Sequence, residues 1–255
     1  MNFDEYLNQF YICDSHLHIC DLLKNELNLI NNKNYFCCSS SHIKEDFLLQ
    51  TSIFKNNCSN IIFSFGIHPF YQSVEELSFL ENLLEEKKIN AIGEIGLDYF
   101  SPELRAKREA QIKNFSIQIE LAIKYNLPIV IHARKSFNDI FNLSPKLKKV
   151  PSVIFHSYSG TFLEAMSIIN HGINAAFSFS KQIIFNNKKS IECVKKLPIE
   201  NILFETDAPF QNFVKNGFTK MEDILQVYNA AFEIRSEKKL FEKIHSNYLN
   251  YFGVF

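Results

Sequence analysis

Eight short, almost uninterrupted apolar runs divide this chain, and they constrain its fold more than any other feature. They are FYICDSH (10–16), NYFCCSS (34–40), NIIFSFG (60–66), NAIGEIG (90–96), PIVIHA (128–133), SVIFHS (152–157), NAAFSFS (174–180) and NILFET (201–206). Each is about strand length and continuously apolar rather than alternating, as in parallel strands buried on both faces. The stretches between them are long enough for crossover helices. SVEELSFLENLLEEKK opens with Ser73 and Glu76 at capping-box spacing. SPELRAKREAQIKNFSIQIELAIKYN predicts one long amphipathic helix, with Pro102 near its start and Pro128 beyond its end. TKMEDILQVYNAAFEI and SEKKLFEKIHSNYLNYF predict two closing helices. Eight strands, each followed by a helical stretch, predict an α/β fold of the (β/α)8 TIM-barrel type, with residues 1–255 as a single domain. The alternative is a doubly wound open sheet, because the pattern alone does not establish closure.

Composition narrows the function classes. The net charge is −1 and there is no long basic run, so bulk charge gives no reason for tight non-specific nucleic-acid binding. A local basic rim remains compatible with that balance. The six cysteines, at 13, 20, 37, 38, 58 and 193, include no CxxC pair. They read as buried free thiols in a reducing compartment, so a cytoplasmic location is expected. The first ten residues carry no basic n-region, and no apolar run approaches ~18 residues. No signal peptide and no membrane partner are therefore expected. Neither GxGxxG nor GxxxxGK[ST] occurs, so no nucleotide cofactor is expected. A monomer is the expected state.

The ionisable residues fall at one end of the predicted strands, where a barrel carries its active site. His16 and His18 end the first, Glu94 the fourth, His132 the fifth, His156 the sixth and Asp207 the eighth, while His68 follows the third in GIHP. Alternate side chains of a strand point the same way, so His16 and His18 can both face the barrel axis with Leu17 outward. Two inward imidazoles beside a carboxylate make half of a divalent-metal site. No cysteine joins the group, so the donors are nitrogen and oxygen. Six donors exceed the need of one tetrahedral ion, and Glu94 could bridge two ions about 3.5–4 Å apart. Any one of these histidines could equally be a hydrogen-bonded core residue. His68 is open between orienting a ligand, touching substrate and capping its strand. Asp207 could instead cap a helix or turn at Asp207-Ala208-Pro209. His42, His171 and His245 fall in predicted loops or helices, with surface roles expected.

DSHLH (14–18), GIHP (66–69), GEIGLDY (93–99), PIVIHAR (128–134), FHSYSG (155–160) and ETDAP (205–209) together resemble the TatD-type metal-dependent deoxyribonucleases of the amidohydrolase superfamily. Gln111, Phe115, Gln118, Leu121 and Ala122 fit that family's long helix, and Asn247 and Phe252 its terminal helix. The resemblance covers nearly the whole chain and implies a (β/α)8 barrel that hydrolyses DNA phosphodiester bonds, often from the 3′ end. It implies ligation of divalent ions, two per subunit and drawn from Mg, Mn or Zn, by His16, His18, Glu94, His132, His156 and Asp207. Glu94 stands where phosphotriesterase relatives place a modified lysine. The chain departs from the family after Asp207, where FQNFVKNGFTK replaces a polar loop containing Arg and Pro.

Three functions follow from these observations. In a metal-dependent nuclease, Asp207 and Glu94 would be catalytic, Asp207 taking the proton of the attacking water. His68 and Arg134 would bind the DNA substrate, with Lys135 and Lys181 as further phosphate contacts. The same centre could hydrolyse a small ester or amide, or aminoacyl-tRNA, since fold does not fix substrate. A non-enzymatic binding protein has no use for so complete a donor set. An open basic or aromatic rim would favour the nuclease, and a narrow closed mouth the small-molecule hydrolase.

Overall fold

The computed structural model describes residues 3–54, 60–71, 74–213 and 217–253. All eight predicted strands are present: β1 (Ile12–Leu17), β2 (Tyr35–Ser41), β3 (Ile61–Phe65), β4 (Ala91–Asp98), β5 (Ile129–Arg134), β6 (Val153–Phe155), β7 (Ala175–Phe179) and β8 (Ile202–Phe204). They lie in sequence order in one sheet, and every neighbouring pair is parallel. Apolar residues are buried on both faces of most strands because helices cover the outside and the barrel interior is filled. The TIM-barrel expectation is borne out.

Closure between β8 and β1 is made just beyond the end of β8. The Asp207 amide donates to the His16 carbonyl (2.9 Å), and the His18 amide donates to the Ala208 carbonyl (2.8 Å). The bonds that close the barrel therefore also lock Asp207 beside the two N-terminal histidines.

Two strands are irregular where they carry site residues. The β1–β2 register shifts between Asp14 and Leu17, and the β4–β5 register shifts between Ile92 and Ile95. Such shifts re-aim side chains near active sites. Glu94 and His132 lie inside their strands rather than at the ends, because β4–β5 pairing continues to Asp98 and Arg134.

The stretch predicted as one long helix forms two, Pro102–Ala106 and Arg108–Tyr125. Ser101 caps the first by accepting from the Leu104 amide (3.2 Å). The Gln111 side chain bonds the Leu104 carbonyl (2.8 Å) while gripping Asp98, accepting from its amide (2.8 Å) and donating to its carbonyl (3.1 Å). Gln118 grips Ile67 in the same two-bond way. These buried amides satisfy backbone groups at the end of β4 and just beyond β3. The terminal helices form over Ile224–Arg235 and Leu240–Phe252, with Met221–Asp223 as a 3-10 turn. The helix after β3 spans Val74–Glu85, and the capping box assigned to Ser73 lies outside the described residues.

Candidate metal centre

The six expected ligands converge at the C-terminal mouth of the barrel, and all are buried. Glu94 is the hub. Its Oε1 lies 2.6 Å from His132 Nδ1, 3.0 Å from His156 Nε2 and 3.5 Å from His68 Nε2. Its Oε2 faces His16 Nε2 at 3.4 Å. Asp207 Oδ1 sits 3.6 Å from His16 Nε2 and 3.4 Å from His18 Nε2, and those two nitrogens are 3.1 Å apart. His18, just past β1, reaches the same point as His16, as the alternation in DSHLH predicts.

Three overlapping sets of potential ligands result: His16, His18 and Asp207; His16, Glu94 and His156; and His68, Glu94 and His132. These donors are nitrogen and oxygen only, which suits a divalent first-row ion or Mg rather than a thiolate site. Seven imidazole and carboxylate groups buried within reach of one another would be costly without a cation to share. The residues fit a divalent-metal centre.

The charges are strongly coupled. Burial alone would raise the Glu94 carboxyl, but His156, His68 and His132 hold it well below its usual range. Asp207 also resists burial, held at about 2 by its hydrogen bond to His18 and by the charges of His156 and His16. Burial would lower His156, yet Glu94 and Glu205 carry it well above its usual value. Burial and the neighbouring His156 push His16 down. The pocket thus holds ionised carboxylates against imidazoles that compete for protons, an arrangement that a cation can replace.

A second layer fixes these side chains. Asp98 Oδ2 lies 2.9 Å from His132 Nε2, and Glu205 Oε1 lies 3.0 Å from His156 Nδ1. Gln211 donates to Asp207 Oδ2 (2.9 Å) and to Ser157 Oγ (2.6 Å). Asp14 accepts from the Thr206 amide (3.0 Å), the Thr206 hydroxyl (2.6 Å) and the Tyr35 hydroxyl (3.1 Å), tying β1 to the segment after β8. Burial pushes its carboxyl up to about 7, against the pull of the Thr206 bonds. Sequence reasoning assigned no role to Asp14, Asp98, Glu205 or Gln211. For three of them a signal existed: Asp14 and Glu205 stand two residues before a ligand, and Asp98 four after Glu94, and an acidic residue that near a ligand histidine or carboxylate can orient the site.

The other expectations divide. His68 joins the cluster and accepts from the Phe70 amide at Nδ1 (3.2 Å). Arg134 is half exposed at the rim, 3.7 Å from Asp98. Lys181 reaches the Asn212 carbonyl. No helix starts at Asp207, and the chain turns directly after it at Ala208-Pro209. His171 is at the surface as expected. His42 is not: it is half-buried, its ring stacks on Tyr71 (4.8 Å), and burial beside His18 and His68 pushes it down to about 3. His245 is half-buried too, stacked on Tyr11 (4.3 Å). Cys13, Cys20, Cys38 and Cys193 are buried free thiols and Cys37 is buried beside them, while Cys58 lies outside the described residues. A cavity of about 350 Å³ opens over His132, His156, Asp207 and Gln211. A larger one of about 750 Å³ shares the wall at Ala133, His156 and Ser159 and runs towards Arg105, Arg108 and Lys189. The donor cluster borders the smaller cavity, and chemistry rather than size identifies the site.

Comparison with known proteins agrees with this geometry. A family model described as "TatD related DNase" matches residues 13–253. An "uncharacterized metal-dependent hydrolase" of Buchnera aphidicola subsp. Baizongia pistaciae is 32% identical over 217 residues, covering 78% of each chain. The "3'-5' ssDNA/RNA exonuclease TatD" of Pantoea ananatis is 30% identical over 152 residues, covering 57% of this chain and 56% of that protein. Among solved structures, the TatD homologue YjjV from Escherichia coli K12 superposes with a TM-score of 0.81 at 23% identity, covering 96% of this chain and 99% of that one, a likeness of fold. No helix among the described residues is long and apolar enough to cross a membrane.

Proposed function

Because this chain belongs to the TatD-related DNase family, we propose that it is a divalent-metal-dependent nuclease acting as a 3′–5′ exonuclease on DNA. One observation carries the reading: the two oxygens of Glu94 face different imidazoles, His132, His156 and His68 on one side and His16 on the other. A carboxylate so placed suits a bridge between two ions, Mg, Mn or Zn, with His16, His18, His132, His156 and Asp207 completing the ligands. When bound, such ions supply charge to the scissile phosphate and acidify water.

The chain's own residues supply orientation and proton transfer. Asp98 and Glu205 hold the His132 and His156 rings by their outer nitrogens. Gln211 fixes Asp207 Oδ2, leaving Oδ1 directed at the histidines. Asp207 is ionised throughout the neutral range and accepts the proton of the attacking water. His68 contacts the substrate phosphate from within the cluster and Arg134 from the rim, through a guanidinium that matches phosphate geometry. The chain acts as one domain and as a monomer.

The test is digestion of end-labelled oligonucleotides, blocked or free at each end, with Mg²⁺, Mn²⁺ or EDTA. Stepwise loss of nucleotides from a free 3′ end, arrested by a 3′ block and by EDTA, is expected. No cleavage under any condition, with turnover of a small ester or of aminoacyl-tRNA instead, would overturn the proposal.

A further inference from the structure

Large apolar side chains scattered singly over a surface are ordinary, but a group of them around one opening is informative. Among the described residues, four of the twelve exposed large hydrophobics, Phe70, Tyr71, Phe100 and Phe210, surround the mouth of the donor cluster. They come from three different strand-end loops. Phe70 and Phe210 are 46% and 47% exposed. The Phe70 ring lies 4.4 Å from the His68 ring at 80° and 6.1 Å from the His132 ring. The Phe210 ring lies 5.1 Å from the His18 ring at 76°. His68 and His132 stand at Glu94 Oε1, and His18 stands at Asp207 Oδ1. The two phenyl rings thus flank opposite ends of the buried cluster, each resting on a buried imidazole with nearly half its surface uncovered.

Phe100 differs. The Arg134 guanidinium lies 4.2 Å from its ring centroid and the Lys135 ammonium 4.6 Å. This ring displays two cations at the rim instead of a bare face. Aromatic surface alternating with positive charge around a recessed site matches an unpaired nucleic-acid strand, whose bases offer flat apolar faces and whose phosphates need cations. In a duplex those base faces are already stacked. A small hydrophilic substrate has no use for two uncovered phenyl rings.

We propose, building on the nuclease reading above, that Phe70 and Phe210 are stacking platforms for the unpaired bases at the strand end, and that Phe100 presents Arg134 and Lys135 to the adjoining phosphate. The rings hold the last nucleotides while the backbone between them descends to Glu94 and Asp207. Phe210 opens FQNFVKNGFTK, the segment that follows Asp207-Ala208-Pro209 at the mouth of the barrel. Phe70 and Phe210 set substrate preference and are positioning residues.

The test compares two single-stranded DNA oligonucleotides of one sequence, one intact and one with its last three 3′ nucleotides abasic, cleaved by wild-type protein and by Phe70→Ala, Phe210→Ala and the matching Phe→Trp variants. The wild type is expected to prefer the intact strand in kcat/KM by roughly ten- to a hundredfold, as base–aromatic stacking contributes in comparable sites. The Ala variants lose most of that preference, chiefly through KM on the intact strand, and the Trp variants keep it. Equal cleavage of both strands by the wild type, or Ala variants that retain the full preference, overturns the stacking role and leaves the nuclease reading standing. Absence of cleavage of either strand by the wild type overturns both.

Discussion

Asp207 carries the most constrained role of any single residue at the mouth. Its φ of 58° places it in the left-handed region, where Asn is among the few side chains accommodated without strain. Asp207→Asn therefore keeps the backbone and the side-chain shape while removing the charge. Its kcat on an oligonucleotide is expected to fall ~10²–10⁴-fold while the chain still folds. More than about a tenth of wild-type kcat at unchanged metal content would exclude it as the proton acceptor. Residue-scale legibility in the sequence was high for the ligands and low for their supports. HxH, GEIG, VIHA, IFHS and ETDAP exposed the donors because polar side chains interrupt apolar runs. Gln211 gave no signal, since its bond to Asp207 depends on the path of an irregular loop. His42 was misjudged because β2 continues to Ser41 and brings its ring to Tyr71 and His68.

At the scale of elements, β4 is held against β5 where the site is built. Gly96 has a φ of +141°, and a Cβ there would lie 2.1 Å from the His132 carbonyl oxygen. Neither backbone can yield without moving a ligand, so Gly96→Ala is expected to cost several kcal/mol, in the range of strained or overpacked sites. Chemical denaturation checks this, and a midpoint within error of wild type would show that the two strands can separate freely. Beside them, Arg108 binds Asp139 through two bonds of 2.5 and 2.6 Å, and Tyr99 donates to the same carboxylate (2.8 Å). The Arg108 hydrogen bonds hold Asp139 below the usual carboxylate range. A depressed folded-state pKa stabilises above the unfolded value near ~4 and is lost as pH falls through the folded one. The difference in urea midpoint between wild type and Arg108→Ala is thus expected to narrow as pH drops from 7 towards 3. A constant difference would mean that the pair contributes no charge-linked stability. The strands were legible as continuous apolar runs. The break at Lys107 was not, because residues 101–126 are uniformly helix-compatible and the interruption comes from the tertiary grip of Gln111 on Asp98 and Leu104.

For the whole molecule, closure and chemistry share the same bonds. The backbone links from Asp207 to His16 and from His18 to Ala208 join the last strand to the first, and Asp14 reinforces them through Thr206. Eight repeats of strand and helix predict a barrel, but closure depends on hydrogen bonds outside β8, which no periodicity reveals. Ions bound across this seam would stabilise the folded state by mass action. The most direct measurement is a metal titration of stripped protein, following metal per chain by elemental analysis together with cleavage of a labelled oligonucleotide. Activity is expected to be absent in the stripped protein and to rise with occupancy to a maximum at two divalent ions per chain. Full activity in excess EDTA from protein that contains no metal would contradict the assignment of His16, His18, Glu94, His132, His156 and Asp207 as a catalytic metal centre.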